Sequence, residues 1–228
     1  MEPGELSLFI DDSQVAYLED IMWDQGVLDG KQLAGTFALL NSRDLLWSRM
    51  VHDYLMGERQ PVTDMMAWNA DATRLPYRMH SEYLRKLYLN NDLAEGRYKV
   101  DDIPVALTDI RVPLFVVGTE RDHVSPWRSV SRIHLLTDTE STFVLASGGH
   151  NAGIVAEPGH RNCRYRLATH THDANYLDPD AWLATAPQHD GSWWPAWVEW
   201  LATRSGAPVS PPPAATTLDA APGTYVRA

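Results

Sequence analysis

Cysteine is almost missing from this chain: Cys163 is the only one in 228 residues, so no disulfide forms within it. Such scarcity suits a reducing, cytoplasmic setting. Basic residues are in deficit, with 19 Lys and Arg against 30 Asp and Glu and a formal net charge of −11. That balance excludes broad binding to a nucleic-acid backbone, which needs a surplus of positive charge. No apolar run approaches the roughly 18 residues of a membrane span. The amino terminus, Met1-Glu-Pro-Gly-Glu5, is acidic and has no basic stretch leading into an apolar one, so it does not read as a secretory signal. No segment repeats.

What is present is an acid and a base in a telling context. Pro113-Leu-Phe-Val-Val117 is a short apolar run of strand character, followed by Gly-Thr-Glu-Arg-Asp122. Thr142-Phe-Val-Leu-Ala146 is a second such run, followed by Ser-Gly-Gly-His150. A helix-length segment, about Pro126 to Leu136, lies between them. Strand, acid, helix, strand, histidine is the order in which an α/β-hydrolase sheet ends, and there the nucleophile precedes the acid and the base. Here a further absence matters: no Gly-x-Ser-x-Gly or Gly-x-Cys-x-Gly elbow occurs before Asp122.

Elsewhere the periodicity predicts mainly helix over the first 60 residues, where Leu33, Phe37 and Leu40, then Leu45, Leu46 and Met50, recur near helical spacing. Residues 67–76 read as a polar loop. A helix is expected from about Tyr77 to Asn90, a small hairpin or short extended pieces from Tyr98 to Ile110, and an amphipathic helix from about Trp194 to Thr203. The segment from Glu157 to Gly191 shows little periodicity, and from Ala207 the chain is Pro-, Ala- and Thr-rich, as an extended tail would be. Two strands are too few for a buried parallel sheet. The expectation is therefore an α/β chain with an incomplete sheet, whose remaining strands belong upstream.

Several stretches occur in one order: Asn41-Ser-Arg-Asp-Leu-Leu-Trp47, Asp53-Tyr-Leu-Met-Gly57, Trp68-Asn-Ala-Asp-Ala-Thr-Arg-Leu-Pro76 and Tyr83-Leu-Arg-Lys-Leu-Tyr-Leu89. They continue with Gly118-Thr-Glu-Arg-Asp-His-Val-Ser-Pro-Trp127, Gly148-Gly-His-Asn-Ala-Gly153, Gly191-Ser-Trp-Trp-Pro-Ala-Trp197 and Ala221-Pro-Gly-Thr-Tyr-Val226. In these the chain resembles the carboxy-terminal half of the polyhydroxyalkanoate (poly-3-hydroxybutyrate) synthases, and the resemblance spans almost its whole length. It implies an α/β-hydrolase-like enzyme, an acyltransferase that polymerises (R)-3-hydroxyacyl-CoA thioesters and releases CoA with a Cys-His-Asp triad and no cofactor. Residues 1–102 would be mostly a helical cap, 103–206 the carboxy-terminal part of the catalytic core and 207–228 the tail. The cysteine elbow would lie some tens of residues upstream of Met1.

By this resemblance His150 is the base and Asp122 the acid. The bland alternatives are a surface-loop histidine and a turn aspartate placed before Pro126. Asp122 would either orient His150 or help it activate the substrate's 3-hydroxyl, and the residues leave both open. His123 follows the acid directly and is a candidate for tuning the site, with packing an equal alternative. Cys163 is a poor nucleophile candidate: no glycines flank it, no strand leads into it, and it follows the acid and base. His170, His172 and Asp173 lack the spacing of a common zinc site and read as a solvated loop, so no metal is expected. Trp193, Trp194, Trp197 and Trp200 read as core, and Trp68 and Asn69 as loop stabilisers. The Gly-His-x-Ala-Gly pattern around His150 is closest to synthases of short-chain monomers, although Asn151 stands where that pattern has an apolar residue. The implied partners are the hydroxyacyl-CoA substrate, the growing polyester or its granule, and a second copy or a separately encoded amino-terminal half. The alternatives to a synthase part are a non-catalytic partner or dimerisation module and a generic α/β-hydrolase fragment.

Overall fold

A computed structural model describes residues 4–32, 34, 35, 42, 46–58, 61, 68 and 74–213. Leu33, Phe37, Leu40 and Leu45 of the first expected helical region, Asn69 with most of its loop, and the stretch Ala221–Val226 lie outside the described residues. Two compact units form, one built on Asp11–Leu84 and the other on Arg85–Gly206.

In the first unit, α1 (Asp12–Gln25) starts because the Asp11 carboxylate accepts the Gln14 N–H at 2.8 Å. It stops at Gly26, whose φ of 70° a side chain would resist. Val15 and Met22 are its buried positions. The chain then forms β1 (Val27–Leu28), which pairs antiparallel with β2 (Leu75–Pro76), and β2 runs into α2 (Tyr77–Glu82). Trp23 meets Tyr77 edge-on at 6.0 Å, and the Ser81 hydroxyl bonds the Glu19 carboxylate. The helix expected from Tyr77 to Asn90 is present, but its second half, Tyr83–Leu89, winds wider, with the Asn90 N–H reaching the Arg85 carbonyl five residues back at 2.9 Å.

The second unit opens with a hairpin of β3 (Lys99–Val100) and β4 (Ile103–Pro104). Asp101 and Asp102 both sit at positive φ, 48° and 62°, as a tight two-residue hairpin turn demands. Its core is a sheet of β5 (Leu114–Thr119), β6 (Ser141–Ala146), β7 (Arg164–His170) and β8 (Gln188–Asp190), in that spatial order. β5 and β6 are parallel, β6 and β7 antiparallel, β7 and β8 antiparallel. The count of two strands is thus corrected to four in this sheet. β7 lies in the segment that showed little periodicity, because arginines share its short run with Tyr165 and Leu167, and β8 is three exposed polar residues.

Every residue of β6 is buried, which its unbroken apolar run anticipates. Phe143 and Leu145 point to one face with Trp127, Trp182 and Ala186, while Val144 and Ala146 point to the other with Trp193. The first face is covered by α3 (Trp127–Val130), α4 (Ile133–Leu136) and α5 (Pro179–Thr185). The second is covered by the start of α6 (Trp194–Ala202). The single helix expected over 126–136 is two short ones. At the break the Ser131 hydroxyl bonds the Arg128 carbonyl at 2.8 Å, and the Arg132 and Leu135 N–H groups reach back only three residues. No helix among the described residues is long and apolar enough to cross a membrane.

The amino-terminal end of β6 carries a half-buried histidine pair. His134 Nδ1 lies 2.6 Å from the Ser141 hydroxyl, and its ring centre is 5.2 Å from that of His170. Burial first, and His170 second, push its pKa down from 6.5 to about 4. Burial alone pushes His80 the same way. For such groups the unfolded chain takes up the proton before the folded one, so stability is intact above pH 6.5 and is lost as pH falls toward 4. With partial solvent access allowed for, His134 accounts for about 2 kcal/mol of that loss. Urea midpoints at neutral pH and near the lower limit should therefore differ less in His134→Gln than in the native chain. Equal differences would remove His134 as the cause.

Candidate active site

Asp122 follows β5 and His150 follows β6, so both emerge at the carboxyl ends of adjacent parallel strands, where open α/β sheets bind their ligands. The loops are tied as they leave the sheet. The Glu120 N–H donates to the Ala146 carbonyl and the Arg121 N–H to the Gly148 carbonyl, each at 2.9 Å. Gly148 has a φ of 112°, and a Cβ there would meet the Gly153 nitrogen at 2.9 Å. A Cβ on Gly153 would stand 2.5 Å from Thr119 Cγ2. Glycine at these two positions thus lets the His150 loop fold down onto the end of β5.

His150 Nδ1 lies 2.8 Å from Asp122 Oδ2. The other carboxylate oxygen, Oδ1, accepts the N–H groups of Val124 at 2.9 Å and Ser125 at 2.8 Å. Asp122 thus serves the turn with one oxygen and meets His150 with the other. Its side chain is 8% exposed against 46% for His150, so the carboxylate is enclosed while the imidazole reaches solvent. Burial opposes ionisation of Asp122, but the Ser125 N–H, His150 and the Val124 N–H together outweigh it and hold the carboxyl below its usual range. An ionised carboxylate only accepts, so Nδ1 carries the proton and donates it. In the neutral ring the lone pair then sits on Nε2, which no described residue engages. Such a ring has a lone pair free to accept a proton.

The other candidates fall elsewhere. His123 is exposed, with no side-chain partner among the described residues. Cys163 sits just ahead of β7, its thiol directed at the carbonyls of His160 at 3.5 Å and Arg161 at 3.8 Å, while its own carbonyl accepts the Gly191 N–H. His170 packs against His134, and His172 pairs with Asp173 at 2.8 Å. Among the described residues no group of 3 or more His, Cys, Asp or Glu side chains gathers as a metal site. Trp68 is exposed.

Sequence reasoning missed the residues that brace the pair. Thr119 is buried under Gly153. Ser147 joins the loop to β7 in both directions, its N–H donating to the Arg164 carbonyl and its hydroxyl accepting the Arg164 N–H. Arg164 also pairs with Glu120 at 2.9 Å. No sequence spacing announces such contacts.

The chain is 38% identical to a poly(3-hydroxyalkanoate) polymerase of Methylorubrum extorquens over 98% of its own length and 37% of that protein's. It is 39% identical to poly(3-hydroxyalkanoate) polymerase 2 of Ectopseudomonas oleovorans, over 96% of the chain and 40% of the relative. It is 35% identical to the poly(3-hydroxyalkanoate) polymerase subunit PhaC of Cupriavidus necator, over 100% of the chain and 40% of the relative. No family model matches the chain. These matches support the resemblance read from the motifs: over nearly its whole length the chain is similar to a carboxy-terminal region of the poly(3-hydroxyalkanoate) polymerases. It spans about two-fifths of the length of the relatives it matches.

Proposed function

We propose that this chain supplies the acid and base of an acyltransferase that polymerises (R)-3-hydroxyacyl-CoA, with short-chain units such as 3-hydroxybutyryl-CoA the favoured substrate. The observation that carries the reading is the Asp122–His150 hydrogen bond at the ends of β5 and β6, in a relative of the polymerases. The fold class proposed with it is the α/β-hydrolase, with residues 1–102 mostly cap, 103–206 core and 207–228 tail, working in the cytoplasm at the polyester granule. The nucleophile is a cysteine on an elbow that residues 1–228 do not contain.

In this reaction His150 Nε2 takes the proton of that thiol, and the imidazolium is steadied through Nδ1 by Asp122. The thiolate attacks the thioester carbonyl, the carbon–sulfur bond to CoA breaks, and the CoA thiolate leaves with the proton His150 returns. An acyl-cysteine results. His150 then accepts the proton of a 3-hydroxyl as that oxygen attacks a second acyl thioester, so an ester bond forms as the carbon–sulfur bond breaks and the leaving thiolate takes the proton from His150.

The purified 228-residue chain is expected to release no CoA from 3-hydroxybutyryl-CoA above the buffer rate. Joined behind the cysteine-bearing part of one of the relatives, it is expected to do so. Turnover by the chain alone, or an inert but folded fusion, would overturn the assignment.

A second reading is a non-catalytic module that binds another synthase chain. It is favoured by the run of exposed apolar side chains at Trp47, Val51, Tyr54, Leu55 and Met56. Co-purification with a synthase whose activity survives His150→Gln in this chain would support it over the first.

A further inference from the structure

The loop that presents His150 ends like a helix. The Gly153 N–H reaches back to the Gly149 carbonyl at 3.0 Å, and the Ile154 and Val155 N–H groups reach the Asn151 carbonyl at 3.1 and 2.9 Å. Such a coil leaves its last carbonyls short of helical partners, and the Ile154 carbonyl takes only the Ala156 N–H, at 3.1 Å, from its own turn. Two consecutive indoles add donors from outside the loop. Trp193 Nε1 donates to the Gly153 carbonyl at 3.0 Å, and Trp194 Nε1 donates to the Ile154 carbonyl at 2.9 Å.

The indoles are themselves fixed. The Trp193 ring is buried on Val144 and Ala146, the strand residues that lead into the His150 loop, and it stacks on Phe115 of β5 at 6.3 Å. The Trp194 N–H of the backbone donates to the Ser192 hydroxyl at 3.1 Å, and Pro195 follows at the helix start. One end of α6 is therefore keyed to the sheet by its ring faces and to the loop by its ring N–H groups. Ordinary core packing accounts for the first contact. It does not require both nitrogens to point at successive carbonyls of one loop.

We infer that Trp193 and Trp194 are positioning residues, whose paired indole donors hold the 149–156 loop so that the His150 ring stays aligned on Asp122. This rests on the reading of His150 as the base. Phenylalanine keeps most of the ring and removes only the donor, so Trp194→Phe and Trp193→Phe isolate the effect in the full chain. Amide hydrogen exchange over 149–156 is expected to run about tenfold faster in Trp194→Phe, the size of one lost hydrogen bond, with exchange over β6 unchanged. The downfield proton signal of His150 Nδ1 is expected to broaden in the same variant. Trp193→Phe should act in the same direction. If burial makes that variant unstable, Trp194→Phe alone decides, because its ring is half-exposed.

Loop exchange within about twofold of native in Trp194→Phe would overturn the inference, as would loop and β6 loosening together, which is the signature of a packing role alone. Asp122→Asn with both tryptophans intact separates the two ideas. A His150 ring that keeps its proton on Nδ1 after that change counts against the acid–base reading and leaves the indole contacts standing.

Discussion

Replacing His150 with glutamine is expected to lower CoA release about a thousandfold in a polymerase built by joining this chain to the cysteine-bearing part of a relative. Glutamine is similar in reach and polar, but it neither takes nor returns a proton. The ring serves twice in the proposed cycle, once on the thiol and once on the attacking hydroxyl, and each general-base step is worth about a hundred- to ten-thousandfold. Stability should hardly change, because the His150 side chain is 46% exposed and its hydrogen-bond partner stays tied to two backbone N–H groups. The urea midpoint is the control that separates lost chemistry from lost fold. Activity above about a tenth of native, with a normal midpoint, would mean that another group performs the proton transfer.

The pairing of Asp122 with His150 was legible because its surroundings are simple. β6 is buried throughout and β5 is half-buried along its apolar part, their apolar runs need no partner to be recognised, and glycine and polar residues close each run. Chain order then placed Asp122 before His150. Of the four tryptophans read as core, Trp193 is buried and Trp194 and Trp200 are half-buried, but Trp197 is exposed. β7 was not, because its alternation is carried by Tyr165 and Leu167 between arginines whose charges are held by Glu120 and by the Ala186 carbonyl, contacts made across the fold. The break between α3 and α4 was hidden for a different reason: a serine hydroxyl competing for a backbone carbonyl looks in sequence like any helical serine. The indole caps were hidden by distance, 40 residues separating each donor from its carbonyl. Local patterns thus revealed β5, β6 and the two side chains that meet at their ends. What aligns those groups depends on pairings that only the folded chain creates.

Asp122→Asn is expected to cost nearly as much as the loss of His150, through the tautomer of the ring. The Val124 and Ser125 N–H groups both need an acceptor, and Asp122 Oδ1 provides it at 2.9 and 2.8 Å. An asparagine keeps those bonds only by placing its carbonyl oxygen there. Its NH₂ group then takes the position of Oδ2, 2.8 Å from His150 Nδ1. Two donors cannot face each other, so the ring proton moves to Nε2 and Nδ1 becomes the acceptor. Nε2, the atom open to substrate, then holds a proton instead of a lone pair. The geometry survives while the base is lost, and in a comparable triad such a change costs about ten-thousandfold. The tautomer is read directly from the ¹⁵N shifts of the His150 ring in this chain, with no need for turnover. The expected result is protonation at Nδ1 in the native chain and at Nε2 in the variant. CoA release in the joined polymerase should fall about a thousandfold or more. A ring that keeps its proton on Nδ1 in the variant, or a fusion that loses less than about tenfold, would show that Asp122 does not set the state of His150.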